Sequence, residues 1–173
     1  MDGSSGNIVL IGMPGSGKST VGPLLAQKTG IGFADTDDIV KNNDGRELRD
    51  IVKEEGYERF LELQQKIIKS QQFTDSIIAT GGGVVKSEEL MLYLKSIGII
   101  IFLDEDPEVL ELRLAPGRRL ARADGQTFRE VYEERRPLYL KYADHIIECT
   151  GKSAEKIVQE IMHNDSFNFC SDR

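Results

Sequence analysis

Apolar residues fall along this chain in two rhythms. Short unbroken runs occur at Asn7-Ile8-Val9-Leu10-Ile11, Ser76-Ile77-Ile78-Ala79-Thr80 and Gly98 to Leu103. Such runs predict strands buried on both faces, as in the middle of a parallel sheet. A shorter run, Ile31-Gly32-Phe33-Ala34, and the mixed stretch Ala143-Asp144-His145-Ile146-Ile147-Glu148 predict two more strands, the last at an edge. Between them, apolar residues recur three and four apart, the period of a helix with one buried face. Val21, Leu24 and Leu25 begin the first helix, which Gly30 stops. Pro23 falls in its second turn, where it bends the helix or removes a hydrogen bond. Leu48, Ile51 and Val52, then Phe60, Leu63, Ile67 and Ile68, mark helices within 38–72, broken by the turn Asn42-Asn43-Asp44-Gly45 and by Gly56. Leu90 to Leu94 continue another helix, and Pro107 opens the next. A helix from Thr127 is expected to end near Arg135-Arg136-Pro137-Leu138-Tyr139, and Ser153 to cap a last one carrying Ile157, Val158 and Ile161. Five strands alternating with helices predict a three-layer α/β domain whose five-stranded parallel sheet is flanked by helices.

Gly12-Met13-Pro14-Gly15-Ser16-Gly17-Lys18-Ser19-Thr20 joins the first run to the first helix. Gly, four residues, then Gly-Lys-Ser is the phosphate-cradling P-loop pattern, and it stands in the context it requires, a buried strand before and a helix after. Gly15, Ser16, Gly17, Lys18, Ser19 and Thr20 are the candidate nucleotide-binding residues. The glycines let phosphate oxygens approach backbone N–H groups, and the helix N-terminus favours the same anion. Lys18 bridges the outer phosphates and the Ser19 hydroxyl binds Mg²⁺.

Two other strand ends carry candidate chemistry. Asp35-Thr36-Asp37-Asp38 follows the second strand. Carboxylates there either hold Mg²⁺ through water, take a proton from a substrate hydroxyl, or cap the next helix. Gly81-Gly82-Gly83 follows the third strand, either as a tight turn or as bare backbone against a ligand. The helices of 38–72, inserted between the second and third strands, are placed to build a substrate pocket. Four arginines between 113 and 122, bracketed by Pro116, Gly117 and Gly125, read as a lid over 115–126 that brings positive charge to the transferring phosphate.

Length and charge narrow the alternatives. The 173 residues suit one domain, with a flexible N-terminus at 1–6 and a patternless tail at 164–173. A net charge of −7 argues against a nucleic-acid binder, and no apolar stretch is long enough for a membrane span. Cys149 and Cys170 lack metal-type spacing and read as reduced thiols of a cytoplasmic protein. His145 and His163 are isolated and receive no role.

Taken in order, the P-loop, Phe33 to Asp37, Gly45 with Leu48 and Ile51, Gly56 with Phe60, Thr80 to Gly83, the arginine lid and Arg135-Arg136-Pro137-Leu138-Tyr139 resemble shikimate kinases, over roughly residues 7 to 162. That family belongs to the nucleoside-monophosphate-kinase-like P-loop enzymes. The resemblance implies transfer of the γ-phosphoryl of ATP to a ring hydroxyl of shikimate, with Mg²⁺, in aromatic amino acid biosynthesis. It implies that Asp37 contacts that hydroxyl as base, that Asp35 supports Mg²⁺ and that Gly82 and Gly83 meet the substrate. Arg135 then pairs with its carboxylate, and Arg118 is the lid arginine on ATP. A monomer with no macromolecular partner is expected. The catalytic set is therefore Lys18, Asp37 and Arg118.

Two stretches depart from the family pattern. Leu61 stands where that pattern has a substrate-binding arginine and Gln64 where it has a glutamate, and the lid reads Arg118-Arg119-Leu120-Ala121 in place of Arg-Pro-Leu-Leu. Losing a bidentate arginine contact costs about 1.5–3 kcal/mol, or one to two powers of ten in affinity. Arg59 faces about 200° away round a helix, which leaves Arg46 or Arg49 as replacements. The departure keeps two rivals in view: a kinase of the same fold for a sugar acid, amino acid or polyol, and a nucleotide-binding module without turnover.

Overall fold

The computed structural model describes residues 6–114 and 125–164. Its sheet is built from β1 (Asn7–Ile11), β2 (Gly32–Asp35), β3 (Ser76–Ala79), β4 (Gly98–Asp104) and β5 (His145–Glu148). All pairs are parallel, in the order β2-β3-β1-β4-β5. β1 is the central strand, and all five of its residues are buried. Its side chains alternate between two cores, as strand geometry requires. Val9 and Ile11 face one core and Ile8 and Leu10 the other; in β4, Ile100 and Phe102 oppose Ile101 and Leu103 in the same way.

Helices α1 (Lys18–Thr29) and α8 (Ala154–Met162) cover the second of these faces. α2 (Thr36–Asp44), α3 (Leu48–Glu55), α4 (Tyr57–Lys69), α5 (Glu88–Ile97) and α7 (Phe128–Tyr142) cover the first, with α6 (Pro107–Arg113) contributing Leu110. Local chemistry sets several of their ends. Gly30 takes the left-handed conformation that closes α1, with φ 73° and its N–H on the Ala26 carbonyl. Ser87 and Ser153 cap α5 and α8, and Thr127 with Glu130 forms a capping box on α7, each cap contributing about 1 kcal/mol.

One expected boundary shifts. α7 runs through Pro137 and past Tyr139, continuing to Tyr142. Proline removes one hydrogen bond inside a helix, yet Val131, Arg135, Tyr139 and Tyr142 lie on one buried stripe, and that packing carries the helix through. No described helix is long and apolar enough to cross a membrane. The lid expectation at 115–124, Arg118 included, lies outside the described residues, as do 1–5 and the tail 165–173.

Candidate functional site

The C-terminal ends of β1, β2, β3 and β4 converge at one edge of the sheet. After β3 the chain passes over β1 to start β4, so the crevice at the end of β1 is the switch point where open α/β sheets bind ligands. The P-loop fills it. Gly15 and Gly17 adopt φ of 87° and 97°, which side-chain-bearing residues rarely take. Ser16 is buried, its N–H donating to the Met13 carbonyl at 3.1 Å. Lys18 is only 7% exposed and its Nζ donates to the carbonyls of Gly12 (2.7 Å) and Met13 (2.8 Å). The ammonium therefore sits inside the loop, held by the backbone that would surround a phosphate. Ser19 and Thr20 stand exposed in the first turn of α1.

Asp35 ends β2 and caps α2, its Oδ1 accepting the Asp37 N–H at 2.8 Å. Of the alternatives for this acidic turn, capping thus falls to Asp35, while Asp37 lies in the first helical turn and Asp38 is exposed. Thr36, fully buried between them, accepts the Gly81 N–H at 3.1 Å and ties this turn to the glycine run.

Gly81, Gly82 and Gly83 form a bare ridge, and each glycine faces a different group. A Cβ on Gly81 would overlap the Asp37 carboxylate, with Asp37 Cγ at 3.1 Å. One on Gly82 would strike the Pro14 ring, with Pro14 Cγ at 2.8 Å. One on Gly83 would meet the Tyr57 hydroxyl at 2.9 Å and Arg135 Nη2 at 4.0 Å. The ridge thus links an acid, the P-loop and a guanidinium within two residues of chain, at most about 7 Å.

α7 supplies the far end. Arg135 is 1% exposed, and its Nη2 donates to the Tyr57 hydroxyl at 3.4 Å. One turn on, the Tyr139 hydroxyl donates to the Gly82 carbonyl at 2.6 Å, with its ring stacked on Phe102 at 5.0 Å. Burial pushes the Tyr139 phenol well above its ordinary range, so it remains a neutral donor that locks the ridge. Arg136 turns the other way to Asp104 at 2.8 Å, and that carboxylate raises its pKa further.

The remaining arginines take other places. Arg46 does not stand in for the arginine missing at Leu61, because it is held by Asp44, Glu54 and Glu55 at 2.6–2.9 Å. Arg49 is 79% exposed and sits beside Asp50, and Arg59 pairs with Glu62. Leu61 is an apolar packing residue against the core. Arg113 belongs to α6, not to the lid; its Nη1 donates to the Gly15 carbonyl at 3.0 Å and pairs with buried Glu105 at 3.1 Å, pinning the P-loop. Tyr57, Thr36 and Arg113 are the site residues that sequence patterns did not single out. Each acts across elements distant in sequence, and only a polar residue beside a glycine or strand end hinted at them.

The arrangement offers a glycine-rich loop around Lys18, the Asp37 carboxylate against Gly81, and the buried Arg135 guanidinium near Gly83. A shikimate kinase family model matches residues 14–165. A shikimate kinase of Persephonella marina is 37% identical over 161 residues, covering 90% of this chain and 96% of that protein. One of Symbiobacterium thermophilum is 39% identical over 165 residues, covering 90% and 94%. Among solved structures, shikimate kinase from Acinetobacter baumannii in complex with shikimate superposes with a TM-score of 0.79 at 29% identity, covering 90% of each chain. The Aquifex aeolicus enzyme gives 0.78 at 33% identity, covering 90% of this chain and 94% of its own. With that family model over residues 14–165 and relatives 37% and 39% identical over 90% of its length, this chain belongs to the shikimate kinase family.

Proposed function

We propose that this chain is a Mg²⁺- and ATP-dependent kinase that phosphorylates a ring hydroxyl of shikimate, giving shikimate 3-phosphate for aromatic amino acid biosynthesis. The observation that carries this reading is the glycine ridge with Asp37 at one end and buried Arg135 at the other. A hydroxyl at the first and a carboxylate at the second define a compact, single-ring hydroxy acid, because the ridge spans at most about 7 Å.

Roles follow from position. Gly15, Ser16, Gly17, Ser19 and Thr20 line the phosphates, and Lys18 shifts its donors from the loop carbonyls to phosphate oxygens. Ser19 and the Asp35 oxygen that does not cap α2 are hard oxygen donors that fit Mg²⁺. Mg²⁺, when bound, neutralises charge on the outer phosphates. Asp37 accepts the proton of the acceptor hydroxyl as its oxygen forms the new bond to γ-phosphorus and the bond from γ-phosphorus to the ADP oxygen breaks. Gly82 and Gly83 give the acceptor backbone to lie on, Arg135 takes its carboxylate, and Arg118 meets the ATP phosphates from the lid.

This reading takes the working unit to be a cytoplasmic monomer. The net charge of −7 supports a small-molecule partner over nucleic acid.

A second reading rests on Leu61. With Arg46, Arg49 and Arg59 engaged elsewhere, none of the three supplies another cation to the acceptor's anionic end. This favours a kinase of the same fold for a different hydroxy acid. Acceptor-dependent ADP release, measured with shikimate and a panel of sugar acids, amino acids and polyols, separates the two. A large rate with shikimate alone supports the first reading, and a large rate with another compound and none with shikimate overturns it.

The ridge makes a further prediction. Gly81→Ala places a methyl against the Asp37 carboxylate and displaces the acid by a fraction of an ångström. The expected result is a fall in kcat of about ten- to a hundredfold with the KM for ATP within about threefold. Unchanged kcat would show that Asp37 does not act from this position.

A further inference from the structure

Tyr57 opens α4 and brings its hydroxyl over Gly83, beside Arg135. Arg135 Nη2 donates to the Tyr57 oxygen at 3.4 Å. A phenol carries one O–H donor and two acceptor lone pairs, so this contact uses a lone pair and leaves the proton. Among the described residues nothing accepts that proton. A guanidinium N–H and a phenolic O–H therefore lie side by side at the end of the ridge, and two adjacent donors match the two oxygens of a carboxylate.

The ring is fixed in place. It stacks on Phe60 at 6.3 Å between centroids, and Lys86 Nζ lies 5.3 Å from its own centroid on the cation–π side. Lys86 is in turn paired with Glu134 at 2.5 Å. That pairing offsets the lysine charge beside the ring. A guanidinium with a neutral hydroxyl donor beside it suits a carboxylate. A held aromatic hydroxyl also loses little freedom when it binds.

We infer that Tyr57 is an acceptor-binding residue whose hydroxyl donates to the carboxylate that Arg135 holds, and that it separates carboxylate-bearing acceptors from neutral ones. The inference rests on the acceptor site described under the proposed function. It assigns the second carboxylate contact to a neutral phenol contributed by α4, in a chain where Leu61 on the same helix packs into the core.

The test is Tyr57→Phe, which keeps the ring and its packing. Binding of shikimate and of its carboxamide is measured by calorimetry on wild type and variant, alongside steady-state kinetics with shikimate. Shikimate affinity should fall about ten- to a hundredfold, the range for losing a hydrogen bond to a charged group. The KM for shikimate should rise in step, with kcat within about twofold and the KM for ATP unchanged. Carboxamide binding should be the same in both proteins. Equal shikimate affinity in wild type and variant, or an equal loss for acid and amide, overturns the role of Tyr57. Wild-type turnover of shikimate with that result leaves the proposed function standing and removes only Tyr57. Absence of both shikimate binding and turnover in wild type overturns the proposed function and the Tyr57 inference together.

Discussion

Lys18→Ala is expected to lower kcat by about a thousandfold or more and leave the fold in place. Lys18 places its charge inside the P-loop, on the carbonyls of Gly12 and Met13. In phosphoryl transfer the protein contributes mainly position and electrostatics, and a single preorganised donor at developing charge is worth two to three powers of ten. The same substitution removes the charge-assisted contacts to the Gly12 and Met13 carbonyls and the longer one to Ser16 Oγ, a loss of a few kcal/mol. Against a typical total of about 5–15 kcal/mol, the sheet survives, because β1 is held by apolar packing on both faces and α1 packs Val21, Leu25 and Ala26 into one of the two cores. Circular dichroism should match wild type, with a lowered melting temperature. Near-wild-type turnover in this variant would remove the P-loop from the mechanism.

Asp37→Asn should lower kcat by about a hundred- to ten-thousandfold, the usual contribution of a positioned base. Asparagine keeps the shape and the place on α2, whose cap is the Asp35 carboxylate, so the helix end is preserved. Asparagine cannot take the hydroxyl proton. The KM for ATP should stay within about threefold, because the loop carbonyls that hold Lys18 belong to Gly12 and Met13. An equal loss in kcat and ATP affinity would mean that Asp37 serves the nucleotide and not the acceptor.

The two variants probe the two halves of the site, and those halves were unequally legible in the sequence. The P-loop is local: nine consecutive residues carry its turns, its charge and its hydroxyl, and the apolar run Ile8 to Ile11 before it can only be a central strand. Gly30 and Ser153 end and begin helices by chemistry confined to one turn, and both act as their residue types predict. The acceptor half is tertiary. Gly81 to Gly83 fit a plain turn as well as a ligand surface until Asp37, Pro14 and Tyr57 are brought against them from three other segments.

Arginine placement failed for the same reason. Arg113 lies next to the lid in sequence but is drawn to Gly15 and Glu105 by the packing of α6. Arg46, a candidate for the acceptor's anion, is captured by three nearer acids, Asp44, Glu54 and Glu55. The end of α7 falls beyond the expected 135–139 stretch because local rules cannot weigh the buried stripe of Val131, Arg135, Tyr139 and Tyr142. Tyr57 carried no signal of its own. Its meaning comes from Arg135, 78 residues away along the chain.

The central claim is that the phosphoryl group crosses from the P-loop to a hydroxyl held by Asp37 at the head of the glycine ridge. Phosphorus NMR of wild-type enzyme incubated with Mg-ATP and shikimate tests it most directly. The predicted spectrum shows ADP and one new phosphate monoester growing in equal amounts, with the ester absent when shikimate is left out. Inorganic phosphate in place of the ester, at a rate that shikimate does not change, would contradict it.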